Sequence, residues 1–236
     1  MAKKRTEADH IATARAAILA AARDHVIFDG WSDETLRAAR ADAGIDPDLA
    51  RLAFPRGALD LAVAFHREGD ARLAAILAET DLSPLRYSDR VAAAIMQRLD
   101  IAAPDREAVR RGMAFFALPQ HMAEGSKCLW HTADTIWTAL GDTSGDLNWY
   151  SKRLILSGVY SSSVLYWLGD DSPDFAATRA FVDRRIANVM QFEKTKARVK
   201  DSRIYGAFRR GPGRLLDAIK APGQGAPMDL PGRWPR

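Results

Sequence analysis

Five histidines, His10, His25, His66, His121 and His131, and one cysteine, Cys128, are the side chains in this 236-residue chain best suited to metal or nucleophilic chemistry. No histidine stands at metal-ligand spacing from another or from Cys128, so neither a structural zinc nor a di-iron site is expected. His131 and Asp134, three residues apart, could share a helix face, but such a pair is far more often a surface ion pair than a catalytic dyad. Cys128, in the run Cys-Leu-Trp, reads as a small buried hydrophobe. The chain has no Gly-Lys-Ser phosphate loop, no glycine-rich dinucleotide fingerprint and no Gly-x-Ser-x-Gly elbow. A non-enzymatic protein without metal or cofactor is the expectation.

The most unusual chemistry lies in residues 135–153, where Trp137, Trp149, Tyr150, Asp142, Asp146, Asn148 and Arg153 fall in one helix-turn-helix connection. Tyr160-Ser-Ser-Ser and Asp170-Asp-Ser-Pro-Asp-Phe follow it. A well-capped turn accounts for the aspartates. It accounts less well for adjacent Trp149 and Tyr150 at a helix start, which cannot both face inward on the same side. One of them is expected at the surface, where aromatics beside charges mark binding patches.

The elements that must position these residues are helices. Alanine-rich stretches with apolar residues three and four apart, and few β-branched runs, predict an all-α chain. Helices are expected at residues 6–26, 33–43, 47–53, 58–78, 87–99, 105–118, 122–140, 147–168 and 174–199, a bundle of about nine. Asp29-Gly30, Gly44, Phe54-Pro-Arg-Gly57, Pro84, Pro104, Pro119, residues 141–145 and Ser172-Pro173 separate them. With 47% hydrophobic and 27% charged residues the composition suits one or two cores. The acidic residues near the start argue against a signal peptide. The most apolar run, residues 154–168, is diluted by five serines and glycines, short of the roughly 20 apolar residues that cross a bilayer.

Leu36, Ala39, Ala43-Gly44-Ile45, Leu49 and Leu52 form a helix-turn-helix signature that resembles the head of a TetR-type transcriptional regulator. Phosphate neutralisation supplies much of DNA affinity, yet residues 32–54 hold five acids against three arginines. The candidate recognition helix offers Arg51 alone, opposed by Asp46 and Asp48. Nucleic acid is therefore not an expected partner, and the motif reads as scaffold.

Five segments recur in order as they do in the coenzyme Q biosynthesis protein nine family: His-Val-Ile-Phe-Asp-Gly-Trp at 25–31, Phe-Pro-Arg-Gly at 54–57, residues 136–150, Asp-Ser-Pro-Asp-Phe at 171–175 and Phe-Val-Asp-Arg-Arg-Ile at 181–186. The chain resembles that family over about three quarters of its length. The resemblance implies a TetR-like fold without DNA binding, a homodimer, and a pocket for an isoprenoid lipid, quinone intermediate or phospholipid. It also implies a demethoxyubiquinone hydroxylase as partner, met through Asp146, Asn148, Trp149 and Tyr150, with Arg153 one turn on. Met113, Phe116, Leu118, Trp130, Ile136, Leu156, Val159, Leu165 and Trp167 are the candidate lipid-lining residues, most of which could equally be plain core.

The charge is uneven. Residues 194–236 hold 11 basic and 3 acidic side chains, and residues 1–193 hold 23 basic and 27 acidic. Ile204, Tyr205 and Phe208, then Leu215, Leu216 and Ile219, form apolar clusters flanked by Arg209, Arg210, Arg214 and Lys220. That pattern suits an amphipathic helix on an anionic membrane surface; packing back on the body and a nonspecific nucleic-acid tail are the alternatives. The expected organisation is a helix-turn-helix-like region at 1–57, a lipid-binding bundle at 58–200, the amphipathic helix at 201–220 and a Pro/Gly-rich disordered tail at 221–236. The expected placement is peripheral, on the cytoplasmic face of a bacterial inner membrane or the matrix side of a mitochondrial one. A ligand-responsive DNA-binding regulator is the alternative function, and an interaction module without a ligand is a third.

Overall fold

The computed structural model describes residues 6–145 and 147–200, with side chains described as far as residue 191. Nine α-helices occupy the described residues, α1 (Glu7–Asp29), α2 (Asp33–Asp42), α3 (Pro47–Ala53), α4 (Ala58–Glu79), α5 (Tyr87–Ala102), α6 (Arg106–Phe116), α7 (Met122–Ala139), α8 (Leu147–Trp167) and α9 (Ala176–Lys200), and no strand is found among them. The expected all-α bundle is present, with helix limits within a few residues of those read from capping and turn residues.

Local chemistry starts and stops these helices. Thr6 and Asp9 cap α1 reciprocally, and Gly30, at φ 66°, ends it in a conformation that a side chain would strain. The Ser32 hydroxyl accepts from Thr35 N at 3.1 Å to open α2. Asp46 accepts from Asp48 N and Leu49 N at α3, whose first residue is Pro47. The start of α4 is capped from outside, since the amide of Ala58 donates to the carboxylate of Asp33 on α2 at 3.1 Å. A Cβ on Gly57 would lie 2.6 Å from the same oxygen.

Two apolar clusters fill the fold. One holds Ile18, Val26, Ala39, Ala53 and Phe54 of the head and continues into Leu61, Ala62 and Ala64 of α4 and Ala108 of α6. The second joins α4, α5, α7, α8 and α9 through Leu73, Ile95, Leu99, Ile136, Trp167 and Val182. Burial of this apolar surface is the main stabilising term. Helix α4 runs through both, packing on α5 and α7, while α7 and α8 pair and α9 covers α5 and α8.

The corner between α8 and α9 is strained and held. Asp174 and Phe175 both adopt φ 52°, a left-handed conformation that costs a non-glycine residue on the order of 1 kcal/mol. Asp170 holds the turn by accepting from Ser172 N and from Thr178 N and Oγ1, at 2.5–2.8 Å, and these bonds keep its carboxyl well below the usual range. Arg106 of α6 donates to the carbonyls of Trp167 and Asp170 and lies over the rings of Trp167 and Phe175.

Candidate functional site

A cavity of about 230 Å³ lies between the head and the bundle, lined chiefly by apolar side chains from α4, α5, α6, α7 and α8 and by Trp31. Trp31 is fixed there by donating its indole N–H to the Ala108 carbonyl at 3.0 Å and by packing on Phe65 at 5.0 Å between ring centroids. Gly112 of α6 and Gly125 of α7 bring their helices close, because a Cβ on Gly125 would meet Phe116 at 2.8 Å. Met122, Ala117 and Ser126 are exposed and form the outer end, whereas Arg98, Leu99, Tyr160 and Trp167 are buried at the inner end.

Of the expected lipid-lining residues, Met113, Phe116 and Trp167 line this cavity. Ile136, Leu156 and Val159 are buried in the second apolar cluster instead. Leu118 and Leu165, at 43% and 59% exposure, are on the surface, because the former lies past the end of α6 and the latter points away from the bundle on α8. Trp130 lines a separate surface depression with Arg67, Lys127, His131 and Asp134. Sequence reasoning missed Trp31, Phe65, His66, Arg98, Leu129 and Tyr160 as lining residues.

The inner end carries a polar network. Arg98 donates Nε to Asp70 Oδ1 at 3.0 Å and one Nη to the His66 carbonyl at 3.1 Å. Asp70 is wholly buried and also accepts from Thr132 Oγ1 at 2.9 Å. The His131 Nδ1 atom lies 2.6 Å from its other oxygen. Burial, aided by the charge of Arg98, pushes the His66 imidazole down to about 3, so it is neutral near pH 7. The anticipated His131–Asp134 pair does not form: His131 turns inward to Asp70, and Asp134 accepts from Arg153 Nε at 2.6 Å. Cys128 is buried beside this network, and burial pushes its thiol up to about 11, which makes it a poor nucleophile.

The surface patch at the start of α8 differs in one respect from its sequence-based reading. Trp149 and Tyr150 are both half-buried, at 5.8 Å and 6.3 Å from the ring of Trp130 on α7. Both rings pack against Trp130, so neither is turned fully outward. Asn148 is exposed, and Asp146 lies outside the described residues. Arg153 is buried at 2% exposure and is no surface contact. Its guanidinium bridges Asp134 and Asp142 beneath the Trp149 ring. Asp142 accepts from Lys152, Ser144 and Arg153, and these bonds outweigh burial and hold its carboxyl down to about 2. It anchors the turn instead of capping α8.

Among the described residues no helix is long and apolar enough to cross a membrane, and no three His, Cys, Asp or Glu side chains gather as metal ligands. The membrane-contact expectations, Ile204, Tyr205, Phe208, Arg210, Arg214, Leu215, Leu216 and Ile219, lie outside the described residues.

Comparison with known proteins bears on this arrangement. A family profile described as COQ9 matches residues 122–193, which hold α7, the patch, α8 and most of α9. The mitochondrial ubiquinone biosynthesis protein COQ9 of Rattus norvegicus is 30% identical over 192 residues, 78% of this chain and 61% of the rat protein. The Homo sapiens protein of the same name is 28% identical over 78% of this chain and 60% of its own length. The probable ubiquinone biosynthesis protein coq9, mitochondrial, of Dictyostelium discoideum is 28% identical over 73% of this chain and 58% of its own. This chain is similar to the COQ9 family over most of its length. It spans about three fifths of the length of these relatives.

The chain also resembles in fold a TetR transcriptional regulator from Nitrosomonas europaea ATCC 19718, with a TM-score of 0.58 at 21% identity, over 73% of this chain and 95% of the other. The fold is therefore TetR-like, and that similarity speaks to fold alone. In this chain the α3 surface is acidic and self-paired, with Asp46 committed to the cap and Asp48 bonded to Arg51. The motifs that carry the family resemblance have structural work in this fold. The 25–31 segment ends α1 and places Trp31 in the cavity wall, the 54–57 segment launches α4, and the 171–175 segment makes the strained corner before α9.

Proposed function

We propose that this chain is a lipid-binding, non-catalytic accessory protein of ubiquinone biosynthesis. It holds an isoprenoid lipid or quinone intermediate in the cavity and presents it to the demethoxyubiquinone hydroxylase at a membrane surface. The observation that carries this reading is the cavity itself, an apolar chamber walled by Trp31, Phe65, Met113, Phe116, Leu129 and Trp167 in a chain similar to the COQ9 family. Ligand pockets are mostly apolar with a few placed polar groups, as here.

The relatives are named as ubiquinone biosynthesis proteins of mitochondria, which supports the pathway and favours the matrix side of the inner membrane or its bacterial counterpart. The half-buried Trp149 and Tyr150 with exposed Asn148 supply a patch suited to the hydroxylase. Exposed Leu154, Gly158 and Leu165 follow one face of α8, and with Tyr166 and Met190 they favour a homodimer through α8 and α9. The acidic α3 surface disfavours the regulator reading.

Native mass spectrometry of the purified protein, followed by extraction and identification of what it carries, tests the proposal. Isoprenoid quinone or phospholipid at fixed stoichiometry is the expected result. A protein without lipid that shifts duplex DNA in a salt-dependent manner would overturn it and favour the regulator.

A further inference from the structure

Between α4 and α7 an open surface depression of about 440 Å³ is lined by Arg67, Ser126, Lys127, Trp130, His131 and Asp134. That volume falls within the roughly 300–1,000 Å³ of ligand sites. Two of its charged groups are already paired: Asp134 accepts from Arg153 Nε at 2.6 Å, and Lys127 donates to Glu124 at 2.6 Å. Arg67 is different. It is exposed and has no ion pair among the described residues.

His131 is the built part of the depression. Its Nδ1 lies 2.6 Å from Asp70, a wholly buried carboxylate that also accepts from Arg98 Nε and Thr132 Oγ1. A carboxylate engaged by those donors is an acceptor, so Nδ1 carries the proton and Nε2 is the ring atom left for the depression. The side chain is 37% exposed, and through it the buried network around Asp70 reaches the surface.

Charge narrows the class of ligand. Around His131 stand Arg67 and Asp70 of α4, Arg98 of α5, Lys127, Glu124 and Asp134 of α7, and Arg153 of α8 behind Asp134. Four cations against three carboxylates leave one positive charge in excess, and His66, on the other side of Asp70, is neutral. That excess disfavours a proton on Nε2 in the protein alone. A dianion reverses the balance, because Arg67 matches one negative charge and His131, by taking up a proton at Nε2, matches the second. A phosphate monoester, at roughly −1.5 to −2 near pH 7, carries that charge.

Trp130 supplies the apolar part. Its ring is half-buried and held by Trp149 and Tyr150 at 5.8 Å and 6.3 Å between centroids. A flat surface is thereby kept beside the cations without being ordered on binding, and flat heteroaromatic rings stack on such side chains.

We infer that this depression binds a phosphorylated small molecule with a flat ring, of the nucleoside monophosphate class, its phosphate among Arg67, Lys127 and His131 and its ring against Trp130. The ligand is of a different class from that of the apolar cavity, so this site stands or falls independently of the lipid-binding reading above.

The test is titration calorimetry of the full-length protein with adenosine 5′-monophosphate, adenosine and inorganic phosphate. The monophosphate is expected to bind at least about tenfold more tightly than either fragment, since charge-assisted bonds and stacking act together. Arg67→Gln, a change at an exposed position, should weaken its binding about tenfold and leave the melting temperature in place. Arg185→Gln, an exposed change on α9, should alter neither. At about pH 7.5, where the free phosphate is already mostly dianionic, buffers of different ionisation heat should reveal uptake of part of a proton on binding, and His131→Gln should remove that uptake. A monophosphate that binds no more tightly than adenosine, or equally well to the Arg67→Gln protein, would overturn the site. Binding with no proton uptake would overturn the part given to His131.

Discussion

The Arg153 guanidinium lies 3.9 Å from the centroid of the Trp149 ring while it donates to Asp134 at 2.6 Å and Asp142 at 3.1 Å. One side chain thus ties the start of α8, the end of α7 and the intervening turn into a unit, and sets the face that Trp149 shows outward. Both Arg153 and Asp142 have side chains at most 3% exposed. Arg153→Ala would deprive Asp134 of its cation and leave the buried Asp142 carboxylate with Lys152 alone as an ion-pair partner, and is expected to cost about 3 kcal/mol of stability. Urea unfolding of the variant against the parent measures this.

Trp149→Ala addresses the patch without touching the cavity. Affinity for the hydroxylase is expected to fall about tenfold or more, the loss usual for a central aromatic at an interface. The amount of co-purifying lipid should be unchanged. Surface plasmon resonance for the first quantity and extraction for the second separate partner binding from ligand binding.

Acid should loosen the same turn. Asp142 has a folded-state value of about 2 against an ordinary 3.8, so its stabilisation is complete above about pH 5 and is lost as the pH falls through about 2. The size is about 2 kcal/mol. A pH series of unfolding midpoints should show this acid limb, and Asp142→Asn should flatten it. The lowered carboxyl of Asp170 works in the same direction and keeps part of the slope in that variant.

Gly69→Ala is expected to destabilise the protein by about 2 kcal/mol, as overpacking does. In an open helical site the same change would stabilise. The difference lies in Arg98, whose guanidinium cannot move from 2.5 Å without leaving the buried Asp70. Thermal unfolding gives the sign.

Cys128 should resist iodoacetamide at neutral pH, since its thiol is 2% exposed and raised to about 11. Its labelling in the native protein is expected to be slower by orders of magnitude than in urea. Equal rates would mean that the cavity wall opens freely.

Helix ends were legible because their signals are local. Asp46-Pro47, Ser32 and Gly30 act on neighbours one to four residues away, and the sequence order of those residues is enough to place α1, α2 and α3. Trp31 was visible as part of a motif, but its bond to Ala108 spans 77 residues, and no spacing rule reports it. The polar end of the cavity was hidden for the same reason. His66 and Asp70 stand four apart on α4, yet Arg98 and Thr132 come to them from 28 and 62 residues away. Periodicity marks which face of α8 is apolar, and so it turned Trp167 inward. It does not say where facing helices fail to fill the space between them, which is why Ile136, Leu156 and Val159 proved to be core.

Trp31 ties the helix-turn-helix head to the bundle. It sits between the end of α1 and the start of α2, and it is also a wall of the cavity. Helix α3 contributes nothing to that wall, so its outer surface is free to change its charge at little cost. The head as a whole is not dispensable, because its loss would open the cavity to water. Whatever α3 touches outside, the head serves the rest of the fold as carpentry.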